Sequence, residues 1–211
     1  MNPIISKSNE EQLKTICKEC YKTVAYYTDL AWGKSRFYLQ PMWSTKYDGH
    51  QITDKIYISD LATAFNKERL CEEGITHVLN LVLGIDSIYP EEFNYMNIPA
   101  RDIADQDLGQ YFDSCTEFIR NAIEGGGKVL VHCSYGASRS TTVVIAYLIR
   151  YHQMTFEEAL SFTKSKRAVT RPNDGFVKQL QEYHKQLSQT NQNNTNLSLS
   201  KDDSSDIEFS E

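Results

Sequence analysis

The sequence predicts an α/β domain, a sheet covered by helices. Three observations carry that expectation. Between residues 50 and 187, short runs rich in β-branched and aromatic residues alternate with stretches whose apolar residues recur every three or four positions. The run Lys128-Val129-Leu130-Val131-His132 has the continuous apolar centre of a buried strand. A chain of 211 residues with 40% hydrophobic content can bury one sizeable core, and no residue type dominates it, which excludes fibrous and low-complexity classes.

The elements follow in order. Ser8-Asn9-Glu10-Glu11 forms a capping box ahead of Leu13, Ile16, Cys17, Cys20, Val24 and Tyr27, so a helix packed on the main domain is expected within residues 1–49. Cys17 and Cys20 look like a metal half-site, but both fall on the apolar stripe and no second pair exists, which favours core packing. The aromatic-rich stretch 29–49 has no readable pattern. Ile52 to Ser59 reads as a strand, Asn66 to Glu73 as a helix stopped by Gly74, and Thr76 to Val82 as a second strand. A short strand from Tyr95 to Pro99 leads into a loop, Ala100 to Leu108. The next helix carries Phe112, Cys115, Phe118, Ile119, Ala122 and Ile123 on one face and stops at Gly125-Gly126-Gly127. After the buried strand comes an apolar helix, Ser140 to Tyr151. A second capping box, Thr155 to Glu158, opens another helix, and Asn173 caps a last one ending near Leu187. Residues 188–211 hold six serines and five acids against one lysine, too little apolar surface to offset chain ordering, and are read as a disordered acidic tail. Ser204 and Ser205 stand among its acids, as phosphorylation sites do, although charge runs are commonly just solvated.

Charge narrows the function classes. The net charge of −6 argues against general affinity for nucleic acid or an anionic membrane, without excluding a local basic pocket. The first residues lack a basic-then-apolar export pattern, and no apolar run reaches membrane-spanning length. The five cysteines are therefore expected to be reduced thiols in a cytoplasmic chain, with the nucleus as a second location. His50, His77, His152 and His184 show no ligand spacing, so neither metal nor cofactor is expected.

The chemistry concentrates in one stretch, Val129 to Ser140, which runs strand, tight loop, helix N-terminus. Such a loop points successive backbone N–H groups into one concavity, where the helix dipole adds positive potential. Gly136 lets the backbone turn closely around an anion. Arg139 offers a planar fork matched to two phosphate oxygens. The field that binds phosphate also stabilises a thiolate, so Cys133 at its mouth becomes a nucleophile at neutral pH. A cysteine and an arginine with five residues between them are what in-line attack on phosphorus requires.

His132-Cys133-x-x-Gly136-x-x-Arg139-Ser140 resembles the signature of the cysteine-based protein phosphatases, and specifically the compact dual-specificity phosphatases. Ala146-Tyr147-Leu148, the run Arg171 to Leu180, and Ile98-Pro99-Ala100-Arg101-Asp102 with Asp107-Leu108 and Tyr111-Phe112 extend the likeness over residues 52–187. The resemblance implies a single domain, residues 50–187, with a central, mostly parallel mixed sheet flanked by helices. It also implies roles. Cys133 is the nucleophile of a phosphocysteine intermediate, Arg139 clamps the phosphoryl group, and Ser140 helps the sulfur leave. Ser134, Tyr135, Gly136, Ala137 and Ser138 line the phosphate loop. Asp102 is the general acid, preferred over Asp105 and Asp107 because its distance to Tyr111-Phe112 matches the family loop. His132 supports the loop. Asn173 either holds the loop or only caps its helix. Cys71 and Cys115 are read as core residues, with an oxidative disulfide to Cys133 as the second reading for either.

The short domain, without a Trp-Pro-Asp acid loop or a tyrosine-gripping loop, implies a shallow pocket open to phosphoserine, phosphothreonine and phosphotyrosine in proteins. Phosphoinositide phosphatases share the chemistry but usually place extra cations in the loop, where Ser134, Tyr135, Ala137 and Ser138 are neutral. A non-catalytic phosphoprotein-binding module is the alternative of a different class; the chain nevertheless keeps Cys133, Arg139 and an acid. A docking partner held by the N-terminal helix or the acidic tail is a third.

Overall fold

The computed structural model describes residues 47–202 of the chain. The N-terminal helix, Cys17, Cys20, Ser204 and Ser205 lie outside the described residues.

Two short strands, β1 (His50–Gln51) and β2 (Ile56–Ser59), open the domain as an antiparallel pair. The expected strand from Ile52 is shorter than its sequence suggests. The Thr53 hydroxyl accepts from the Lys55 and Ile56 amides, and the Ile52 amide donates to the Ile56 carbonyl at 2.8 Å, closing a turn. Helix α1 (Leu61–Ala64) was not anticipated; Asp60 caps it by accepting from the Thr63 amide at 2.8 Å. Helix α2 (Lys67–Glu72), capped by Asn66, leads to β3 (His77–Asn80) and then β4 (Asn94–Asn97). A 3-10 turn (Gly109–Tyr111) runs into α3 (Phe112–Glu124). Strand β5 (Val129–His132) is buried at every position and precedes α4 (Arg139–His152). The Thr155–Glu158 capping box forms as expected and starts α5 (Phe156–Lys166).

The last helix, α6 (Asp174–Asp202), continues well past Leu187, where the sequence reading ended it. Neither glycine nor proline follows Gly175 in the sequence, and extending an existing helix needs no new nucleus.

The strand order is β1-β2-β5-β3-β4, with β2, β5, β3 and β4 parallel. This is the mostly parallel mixed sheet, flanked by helices, that the resemblance implied. Strand β5, last in sequence, lies at the centre between β2 and β3, with Val131 level with Ile58 and Leu79. Residue alternation divides the interior into two layers. Ile56, Ile58, Leu79, Val129 and Val131 face a large core built with α3, α4, α5 and α6. Tyr57, Val78 and Leu130 face a smaller one closed by Ala64, Leu70, Ile75 and Phe93. The loops leaving the C-terminal ends of β2, β3, β4 and β5 therefore meet at one edge, the usual ligand-binding edge of such sheets.

Candidate active site

Between β5 and α4 the chain turns through residues 133–138, and the carbonyls of that loop have partners outside it. The Leu61 amide donates to the Ser134 carbonyl at 3.3 Å. Arg167 donates to the Tyr135 carbonyl at 3.2 Å and, through Nε, to the Gly136 carbonyl at 2.6 Å. The Arg171 amide donates to the Ala137 carbonyl at 2.7 Å. A trans peptide sets each C=O opposite the next residue's N–H. Four outward carbonyls therefore turn the amides of residues 135–138 inward, toward Cys133. The Gly136 amide reaches the Cys133 sulfur at 3.2 Å. Gly136 has φ +63°, and a Cβ there would sit 2.5 Å from the Ser59 carbonyl oxygen, so only glycine fits.

Cys133 is buried, with the Ser140 hydroxyl 3.4 Å from its sulfur. Burial alone would push the thiol up, but the Arg139 guanidinium and hydrogen bonds from the Ser140 hydroxyl and amide outweigh it. The thiol therefore titrates below its ordinary range. Arg139, the first residue of α4, donates through one Nη to the carbonyls of Leu81 and Ala100, both at 3.0 Å, and through the other to Ser134 Oγ at 2.9 Å. Its Nε is buried without a hydrogen-bond partner among the described residues and lies 3.7 Å from Asp102 Oδ2.

Asp102 is held over the loop. Its Oδ1 accepts from the Ser138 hydroxyl at 2.7 Å and from Asn173 Nδ2 at 2.9 Å. Asn173 also caps α6, its Oδ1 accepting from the Phe176 amide at 3.0 Å, so its two sequence readings are both realised in the geometry. Asp105 is exposed, and Asp107 accepts from the Gln110 amide at the 3-10 turn; neither makes a hydrogen bond to the phosphate loop. His132 is fully buried, and burial lowers it to about 3, so its ring is neutral. Cys71, expected in the core, instead lies exposed on α2, where Leu70 is the buried residue; Cys115 is buried in α3 as expected, its thiol pushed up to about 12 by burial.

Two residues that sequence reasoning gave no role complete the site. Arg167 is fully buried and joins the loop carbonyls to Asp48, with a 2.5 Å contact between its Nη and Asp48 Oδ2 and a further one to His50 Nδ1. Nothing in its sequence context, Lys166-Arg167-Ala168, marks it out. Gln179 Oε1 accepts from the amides of Leu108 and Gly109 at 2.9 and 2.7 Å, while its Nε2 donates to the Gln106 carbonyl at 2.8 Å. Its place in the Arg171–Leu180 run was the available signal.

Residues 56–186 match the family model for the dual specificity phosphatase catalytic domain. The chain belongs to the dual-specificity phosphatases. It is 42% identical over 140 residues to dual specificity protein phosphatase 1B of Arabidopsis thaliana, spanning 66% of this chain and 84% of that protein. Among solved structures, human DUSP28 matches with a TM-score of 0.65 at 26% identity, over 68% of this chain and 97% of that one. The human tyrosine phosphatase-like serine/threonine/tyrosine-interacting protein matches with a TM-score of 0.63 at 30% identity, over 65% and 96%. As a dual-specificity phosphatase, the chain is a protein phosphatase enzyme whose substrates are phosphoproteins.

Proposed function

We propose that this dual-specificity phosphatase hydrolyses phosphotyrosine and phosphoserine or phosphothreonine in proteins through a phosphocysteine at Cys133. One observation carries the reading: the loop turns its amides inward around a buried sulfur whose thiolate is favoured by Arg139 and Ser140. In the first step the Cys133 thiolate attacks phosphorus in line, the ester P–O bond breaks, and Asp102 gives its proton to the leaving oxygen. The inward amides and the free Nε of Arg139 take up the charge on the equatorial oxygens. In the second step water attacks the phosphocysteine, Asp102 takes a proton from that water, and the S–P bond breaks to return the thiolate, which the Ser140 hydroxyl stabilises. Inorganic phosphate leaves and the enzyme is restored.

The loop's neutral side chains favour protein over inositol substrates, and a complete nucleophile site favours turnover over binding alone. The test is phosphate release from phosphotyrosine, phosphothreonine and phosphoserine peptides, with an inositol phosphate as control, for wild type and Cys133→Ser. Release from both peptide classes, lost in the variant, is expected. Release from the inositol phosphate alone would overturn the protein-substrate reading, and binding of phosphopeptides without any release would make the chain a binding module. Docking through the acidic tail belongs to the same reading: deleting residues 189–211 should abolish such binding, and unchanged binding rejects it.

A further inference from the structure

Among the described residues, the large hydrophobic side chains left exposed are Leu83, Tyr135 and Val169, at 47%, 43% and 55% exposure. Single exposed apolar residues are ordinary on protein surfaces. These three sit on three different loops, and each loop is fastened to the phosphate pocket. Leu83 is two residues beyond Leu81, whose carbonyl accepts from Arg139 at 3.0 Å. Tyr135 belongs to the phosphate loop itself. Val169 is two residues before Arg171, whose amide donates to the Ala137 carbonyl at 2.7 Å. Two residues of chain span at most about 7 Å, so Leu83 and Val169 lie within short reach of residues tied to the phosphate loop that carries Tyr135.

We propose that these residues form an apolar collar that selects phosphopeptides carrying large apolar side chains next to the phosphorylated residue; the proposal rests on the phosphatase reading above and names its substrate class. The pocket supplies contacts for the phosphoryl group, which is common to every substrate. The collar supplies contacts that only the neighbouring residues can use, and apolar area removed from water there adds affinity. An inositol phosphate has no apolar surface to offer it. Two exposed arginines, Arg101 and Arg171, belong to loops fastened to the same pocket. Arg101 follows Ala100, whose carbonyl accepts from Arg139 at 3.0 Å, and Arg171 is itself anchored through its amide. Neither side chain has an ion-pair partner among the described residues.

The experiment compares two peptides with the same phosphorylated residue, one with leucine or phenylalanine on both sides and one with serine and glycine, using the full chain. The apolar-flanked peptide should have a kcat/KM about 10-fold higher or more. Leu83→Ser and Val169→Ser should each cut that ratio about 3- to 10-fold. Affinities of both peptides for Cys133→Ser read the same preference without turnover. Preferential binding with no phosphate release from wild type would uphold the collar and overturn the phosphatase reading. Equal kcat/KM and equal affinity for the two peptides overturn the collar, whether the rim is indifferent to neighbours or is occupied by another part of the chain. A ratio unchanged in both variants also overturns it.

Discussion

At the scale of single residues, the site depends on two buried groups driven down by different causes. For Cys133, positive charge and hydrogen bonds outweigh the effect of burial. The thiolate fraction therefore persists below the ordinary cysteine range and is lost only as pH falls through the lowered value. Alkylation of Cys133 by iodoacetamide should proceed at neutral pH, whereas Cys115, raised to about 12, stays unreactive. Replacing Ser140 with alanine removes a stabiliser of the thiolate, so the inflection in alkylation rate should move upward in pH; an unmoved inflection would show that the 3.4 Å contact has no effect. His132 is lowered by burial, and neither ring nitrogen has a hydrogen-bond partner among the described residues. A depressed histidine binds its proton more readily in the unfolded chain. Its contribution is whole above the unfolded value of 6.5 and is lost as pH falls toward about 3. The loss amounts to about 2 kcal/mol at pH 5. His132→Gln should shrink the difference in urea-unfolding stability between pH 7 and pH 5 by that amount. Cys133, Arg139 and Ser140 were legible in the sequence because one loop carries them in a fixed spacing. Arg167 was not, because its partners are backbone carbonyls 31 and 32 residues away and Asp48, 119 residues away.

At the scale of elements, the first turns of α6 hold the loop of the proposed acid, Asp102, at successive points. Asn173 holds Asp102, and Gln179 bridges Gln106, Leu108 and Gly109. Gly175 lies between them, where a Cβ would overlap the Ala104 carbonyl. This grip positions Asp102, and its loss should be felt most where the leaving group needs a proton. Gln179→Ala should lower kcat about 10- to 100-fold on phosphoserine and phosphothreonine peptides. On an aryl phosphate with an acidic phenol the loss should stay below about 3-fold. A uniform loss across leaving groups would place the effect on the fold and not on the acid. Strong periodicity made the helices readable, and α3 and α4 lie within a residue or so of their sequence bounds. The ends of strands were harder, since a hydroxyl such as that of Thr53 can divert the backbone into a turn while the apolar pattern continues. Helix α1 is only four residues long, too short for any period to show.

At the scale of the whole molecule, the sheet separates two cores, and β5 contributes Val129 and Val131 to one and Leu130 to the other. A strand shared in this way couples the layers. Leu148→Ala in the large core and Leu70→Ala in the small one should each cost about 2 to 5 kcal/mol. Each should shift a single urea transition seen both by circular dichroism and by protection of the buried Cys115 from alkylation. Separate midpoints for the two probes after Leu70→Ala would show that the small core melts alone. The order of assembly has a further consequence for a chain made from its N-terminus. The phosphate loop lies beyond a strand that must insert between two earlier ones, and the grip on Asp102 comes from α6. A ribosome-bound chain that has not yet delivered Asn173 holds the cysteine and the arginine without the full seat for Asp102. Fragments ending before that residue should be proteins that carry the signature and turn over serine and threonine esters poorly, so the cell meets full phosphatase activity only when synthesis of the domain is all but finished.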